Sequence, residues 1–162
     1  MNDLFEAYIA ALAKRALRGT EWTVHAQGGR LFCLIEEGDG GKQRFATKPD
    51  LLIKRGNETA MIIDTKWKRI GRDPNDAKHG VSQADVYQLM AYARLYRCPD
   101  VMLLYPHHTG LDDEPLDNAY NIQAGDERLR IASVDLIPGE AAIVERLAAL
   151  ISAAKLGTEV MA

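Results

Sequence analysis

The stretch KPDLLIKRGNETAMIIDTKWKRI, residues 48 to 70, constrains the fold more than any other part of the chain. PDLLI is strand-like with Pro49 at its start, where a missing backbone donor is tolerated, and TAMIIDTKW is rich in strand-favouring residues. Gly56 and Asn57 lie between them, so the two runs read as a β-hairpin. Yet Asp50, Asp64 and Lys66 interrupt segments whose other residues belong in a buried sheet.

Side chains alternate across a strand, which puts Ile62, Asp64 and Lys66 on one face and Met61, Ile63, Thr65 and Trp67 on the other. Whether Asp50 joins Asp64 and Lys66 depends on register. A loop of three residues (56 to 58) or five (55 to 59) sets Asp50 directly across from Asp64, whereas a two-residue Gly56-Asn57 turn sets it across from Ile63. Both registers remain open at this level.

The rest of the chain supplies layers for such a sheet. Leu4, Phe5, Tyr8, Ile9, Leu12 and Ala16 recur at helical spacing between about Asp3 and Arg18, with Gly19 placed as a C-terminal cap. TEWTVHAQ and RLFCLIEE read as strands, and EGDGGKQ as a turn or loop. After a Gly-, Pro- and Asn-containing loop, Ser82 with Asp85 resembles a capping box, and Val86, Leu89, Met90 and Ala93 form the stripe of a helix running to about Arg97. DVMLLYP, AYNIQ and RLRIASVDL are further strands, and a last helix spans about 139 to 154. The expected fold is α/β: a central mixed sheet flanked by helices, in one domain over residues 1–162.

Composition excludes several classes. With 47% hydrophobic and 27% charged residues the chain can build a full core, and no run approaches the roughly 18 to 20 apolar residues of a membrane span, so a cytoplasmic protein is expected. The N-terminus lacks a signal peptide's order of charge and apolarity. A formal net charge of -3 argues against coating nucleic acid by bulk electrostatics, but KWKRIGR and Lys42, Arg44 and Lys48 concentrate positive charge while LDDEPLD is acidic. Cys33 and Cys98 have no metal-site spacing and read as buried free thiols. GGKQRF lacks the order of a phosphate-binding P-loop.

The charges in the hairpin suggest chemistry. In the odd-loop register two carboxylates approach with β-carbons roughly 5 Å apart and need a counter-charge. Hard oxygen ligands without His or Cys favour Mg²⁺, with Mn²⁺ as a substitute, over zinc. Asp50 and Asp64 are the candidate metal ligands. Lys66, as the third candidate catalytic residue, would position or help deprotonate a water and neutralise charge on a phosphorane, and desolvation near a cation would lower its pKa. The reaction implied is metal-assisted phosphodiester hydrolysis. Read alone, a D-x-K triplet is more often a surface ion pair.

KPDLLI, then IIDTKWK, then a helix carrying QLMAY resembles the PD-(D/E)XK nuclease superfamily, whose restriction-endonuclease-like three-layer fold has a mixed sheet between helices. Gln88 and Tyr92 match the Q-x-x-x-Y pattern of its RecB-like branch and share a helix face. LFEAYIA, KPDLLI, DTKWK, VYQLMAYARLY and LLYP, taken in order, resemble the nuclease domain of McrC, the cleavage subunit of McrBC restriction systems for modified cytosine. The resemblance implies a Mg²⁺-dependent DNA endonuclease for defence against foreign DNA, with Asp50 and Asp64 holding metal and Lys66 catalytic. It also implies that Gln88 and Tyr92 support the site or contact DNA, and that Glu6 completes the metal's outer shell. The resemblance implies an McrB-like AAA+ GTPase as partner, although the N-terminal region with which McrC proteins engage it is not matched. Cleavage of both strands would need two active sites and hence dimerisation.

Lys68, Arg69 and Arg72 are candidate phosphate contacts, while alternation turns Trp67 towards packing. Adjacent His107 and His108 face opposite ways and read as structural. The rival reading is a non-catalytic DNA-binding or assembly module that keeps the nuclease fold and docks on an AAA+ ATPase or GTPase.

Overall fold

The computed structural model describes residues 1–29, 31–38, 40–71, 75–78, 80–111 and 114–154. The chain opens with helix α1 (Asn2–Ala16) and strands β1 (Trp22–Ala26), β2 (Phe32–Ile35) and β3 (Gln43–Ala46). Strands β4 (Leu51–Arg55) and β5 (Glu58–Thr65) lead to helix α2 (Gln83–Leu95). Strands β6 (Asp100–Pro106), β7 (Asp117–Asn121) and β8 (Arg128–Val134) and helix α3 (Glu140–Ser152) complete the fold. Six strands form one mixed sheet in the order β1-β4-β5-β6-β8-β7, which is the expected central mixed sheet flanked by helices. β5 runs parallel to β6, with α2 as their crossover, and β6 parallel to β8.

Strand alternation divides the core into two layers. Leu51, Ile53, Met61, Ile63, Met102 and Leu104 face α1 and α3, which contribute Ile9, Leu12, Ile143 and Leu147. Leu52, Ile62, Val101 and Leu103 face α2, which contributes Leu89, Tyr92 and Ala93. Because β4, β5 and β6 are covered on both faces, they read as near-continuous apolar runs, and a charge within them is held between layers.

The hairpin has the two-residue turn, since Arg55 pairs with Glu58, and the simple register would then set Asp50 across from Ile63. That outcome does not occur. The register shifts between Ile53 and Lys54: Lys54 pairs with Thr59 but Ile53 with Met61, which leaves Ala60 as the extra residue of a β-bulge. Beyond it Leu51 pairs with Ile63, and the same register carried one residue further brings Asp50, just ahead of β4, beside Asp64.

Two further expectations are corrected. RLFCLIEE does not extend the main sheet; β2 pairs with β3, which begins at the last residue of the expected EGDGGKQ loop, to form a separate two-stranded hairpin. Its side chains are largely exposed, Phe45 and Ile35 among them, so among the described residues its apolar pattern joins neither core layer. Cys33 lies on it and is exposed rather than buried, while Cys98 is buried and both thiols are free. Arg72 and part of the loop around it, like Asp112 and Asp113 of the acidic loop, lie outside the described residues.

Candidate active site

Asp64 stands near the C-terminal end of β5, and Asp50 just before the start of antiparallel β4, so the two meet at one edge of the sheet. Open α/β sheets commonly take ligands at the carboxyl ends of their strands, the end at which Asp64 lies. Asp50 is fixed by two donors from Thr65: the backbone N–H and the hydroxyl both donate to Asp50 Oδ2, at 2.8 and 2.9 Å. Asp64 is 4% exposed, and burial, followed by the charge of Asp50, lifts its pKa to about 6 against the pull of Lys66.

Lys66 continues the same face. Its Nζ lies 2.7 Å from Asp64 Oδ2 and 3.6 Å from Asp85 Oδ1. The closer contact is an ion pair without hydrogen-bond alignment, and Asp64 Oδ2 is a buried oxygen with no hydrogen-bond partner. Burial pulls the Lys66 pKa down, but Asp64, Asp85 and Asp50 outweigh it and hold the pKa above its ordinary value. The expected fall is therefore reversed, because three carboxylates face one ammonium.

Helix α2 covers this pair. Ser82 is its N-cap and accepts from the Asp85 backbone N–H at 3.5 Å, but the Asp85 side chain does not return to close a capping box. It points to the site instead, with Oδ2 3.5 Å from Lys68 Nζ. Three and seven residues on, Gln88 Nε2 donates to the Tyr92 hydroxyl at 3.1 Å, and that hydroxyl also accepts from the Lys48 backbone N–H at 3.5 Å. Tyr92 is buried and holds the backbone just ahead of Asp50, so its place is support rather than an open surface. Tyr92→Phe is expected to keep the fold and lose about 1 kcal/mol of stability, read from urea unfolding, because the Lys48 N–H can turn to water.

Glu6 is buried on α1 and accepts from Gln27 Nε2 at 3.0 Å. Burial raises its pKa, partly offset by that hydrogen bond, and the nearby charge of Asp50 raises it further. Lys68 and Arg69 are exposed and line a cleft of about 380 Å³ with Trp67, His107, His108 and Ile137. Trp67 packs on Phe5 with ring centroids 5.4 Å apart, as alternation requires. His107 bonds Ser133 Oγ and His108 bonds the Ile70 carbonyl, both structural.

Asp85 and Tyr105 were not singled out by the sequence reading. Asp85 shares a helix stripe with Gln88 and Tyr92, a signal obscured by its fit to a capping box. Tyr105, on β6, has a buried hydroxyl without a hydrogen-bond partner; burial and the charges of Asp85 and Asp64 raise its pKa. Among the described residues no three His, Cys, Asp or Glu side chains form a metal cluster.

The fold is thus a three-layer α/β fold with Asp50 and Asp64 together at the strand ends and a lysine set between Asp64 and the crossover helix. The chain matches the family model described as McrBC 5-methylcytosine restriction system component over residues 1–106. It belongs to that family, and the match includes Glu6, Asp50, Asp64, Lys66, Asp85, Gln88 and Tyr92. No match is found among curated proteins. Among solved structures it is similar to a chain of the refined half-complex from the tetradecameric assembly of Thermococcus gammatolerans McrB AAA+ hexamers with bound McrC. The TM-score is 0.58 at 20% identity, over 93% of this chain and 33% of that one, so the likeness concerns the fold and this chain spans about a third of that protein's length. Among the described residues no helix is long and apolar enough to cross a membrane.

Proposed function

We propose that this domain is the DNA-cleaving part of an McrBC-type restriction system: a PD-(D/E)XK, Mg²⁺-dependent endonuclease that hydrolyses phosphodiester bonds in the cytoplasm and works with an McrB-like AAA+ GTPase. The observation that carries the reading is Asp50 brought beside Asp64 by the shifted register, with the Lys66 ammonium 2.7 Å from Asp64 Oδ2 and 3.6 Å from Asp85 of α2.

The donor set suits a hard divalent cation. Asp64 Oδ2 is a buried oxygen held by the Lys66 ammonium, which a metal would displace, and two carboxylates with water are an ordinary complement for Mg²⁺ or Mn²⁺, so the lack of a third clustered side chain is no obstacle. Asp50 and Asp64 would hold it, with Glu6 outside them. Bound there, the cation would supply Lewis-acid stabilisation of a phosphodiester oxygen and a water of lowered pKa.

The chain's own residues account for the remainder. Thr65 orients Asp50 through two hydrogen bonds, and Gln88 with Tyr92 steadies the backbone that carries it. Lys66, held protonated by its carboxylates, contributes charge stabilisation to the phosphorane rather than acting as a base. Lys68 and Arg69, exposed beside the site, would take the DNA backbone. One such centre cuts one strand, so double-strand cleavage calls for two domains brought together. The family description and the McrB hexamers with bound McrC in the similar structure support the partner.

Incubating plasmid DNA with the protein and Mn²⁺, with and without an McrB-like ring and GTP, should yield nicked or linear product only when metal is present. Calorimetric titration that detects neither Mg²⁺ nor Mn²⁺, combined with salt-sensitive DNA binding and an uncut plasmid in every arm, would replace this reading with the non-catalytic module.

A further inference from the structure

We propose that Asp85 is a second seat for the Lys66 ammonium, which moves there from Asp64 when a divalent cation binds. The inference rests on the metal site proposed above and assigns to α2 a positioning residue for it.

The geometry already places Lys66 between two acceptors, 2.7 Å from Asp64 Oδ2 and 3.6 Å from Asp85 Oδ1. An ammonium and a divalent cation cannot share Asp64 without strong repulsion across a few ångströms. Lys66 is only 18% exposed, so an ammonium displaced from Asp64 that stays near its present place needs another anionic partner. A charge left buried and unpaired is costly, and that cost would be charged against cation binding.

Asp85 is suited to remove it. Its side chain is 15% exposed, and its Oδ2 is buried without a hydrogen bond, touched by Lys68 at a loose 3.5 Å. Closing the Lys66 contact to an ordinary charged hydrogen bond of about 2.8 Å requires a shift of under about 1 Å, within reach of a lysine side chain. The carboxylate is not needed for capping, because Ser82 accepts from the Asp85 backbone N–H and leaves the side chain free. Tyr105, whose buried hydroxyl has no hydrogen-bond partner, lies close enough to Asp85 and Asp64 to feel the charge of both.

A double-mutant cycle read by calorimetric titration of Mn²⁺ tests this. In the Lys66 background, Asp85→Asn should weaken Mn²⁺ binding about tenfold and Asp85→Glu should restore most of it. In a Lys66→Met background no ammonium needs a seat, so adding Asp85→Asn should leave the Mn²⁺ affinity within about twofold. Circular dichroism checks that each variant retains its helices. A loss on Asp85→Asn that persists undiminished with Lys66→Met would mean that Asp85 simply attracts the cation, and an unchanged affinity in the Lys66 background would mean that it does nothing; either overturns the second seat while leaving the nuclease reading intact. A wild-type protein that binds no Mn²⁺ overturns both, and so separates the two failures.

Discussion

Asp64→Asn is expected to make the protein more stable in metal-free buffer at pH 8, and to abolish the stabilisation that Mg²⁺ or Mn²⁺ confers on the wild type. Burial first, and then the nearby Asp50 charge, raise the Asp64 pKa from 3.8 to about 6. Between those values the folded state holds a proton that the unfolded chain has released, so wild-type stability falls as pH rises through this window and stays lowered above it. The move is worth up to about 3 kcal/mol, reduced in the variant because Lys66 loses its closest partner. The gap between wild type and variant should therefore close below about pH 4. In the wild type a bound cation offsets the penalty, by about 2.7 kcal/mol at a hundred times its Kd, and protons compete with it below about pH 6. Thermal unfolding at pH 4 and pH 8, with and without Mg²⁺, measures all of this. A less stable Asp64→Asn at pH 8 without metal would show that the carboxylate is a structural partner of Lys66 and not a strained ligand.

Lys66→Met should do the opposite to chemistry and to binding. Removing the ammonium frees Asp64 Oδ2, so cation affinity should hold or rise, yet cleavage should fall by about 10²–10³-fold because a positive charge aimed at the developing phosphorane is lost. Single-turnover plasmid cleavage with saturating Mn²⁺ separates these effects. Lys66→Arg preserves charge but not the compact ammonium, and should recover little. A Lys66→Met protein that cleaves at the wild-type rate would remove the lysine from the reaction.

Much of this site was legible in the residues. Ile62, Asp64 and Lys66 share the α2 face because a strand alternates with a period of two, and the packing of Ile62 and Ile63 into opposite core layers bears that out. Gln88 and Tyr92 share a face because four residues make about one helical turn, and they are joined by a hydrogen bond. Trp67 turned away from Asp64 for the same local reason. The β2-β3 hairpin was less legible: its apolar residues imitate a buried strand, and nothing in a local pattern tells whether a second layer covers it.

The sequence by itself thus determined which residues could face one another along each helix and strand, since those relations follow from backbone periods. The tertiary structure decided which strands and helices bring their faces together. A two-residue turn should have separated Asp50 from Asp64, but the bulge at Ala60 adds one residue to β5 and restores their register. Docking of α2 likewise turned Asp85 from an expected cap into a partner of Lys66 and Lys68. Both outcomes depend on how the sheet and helix pack at long range, where a single extra residue reverses every alternation beyond it.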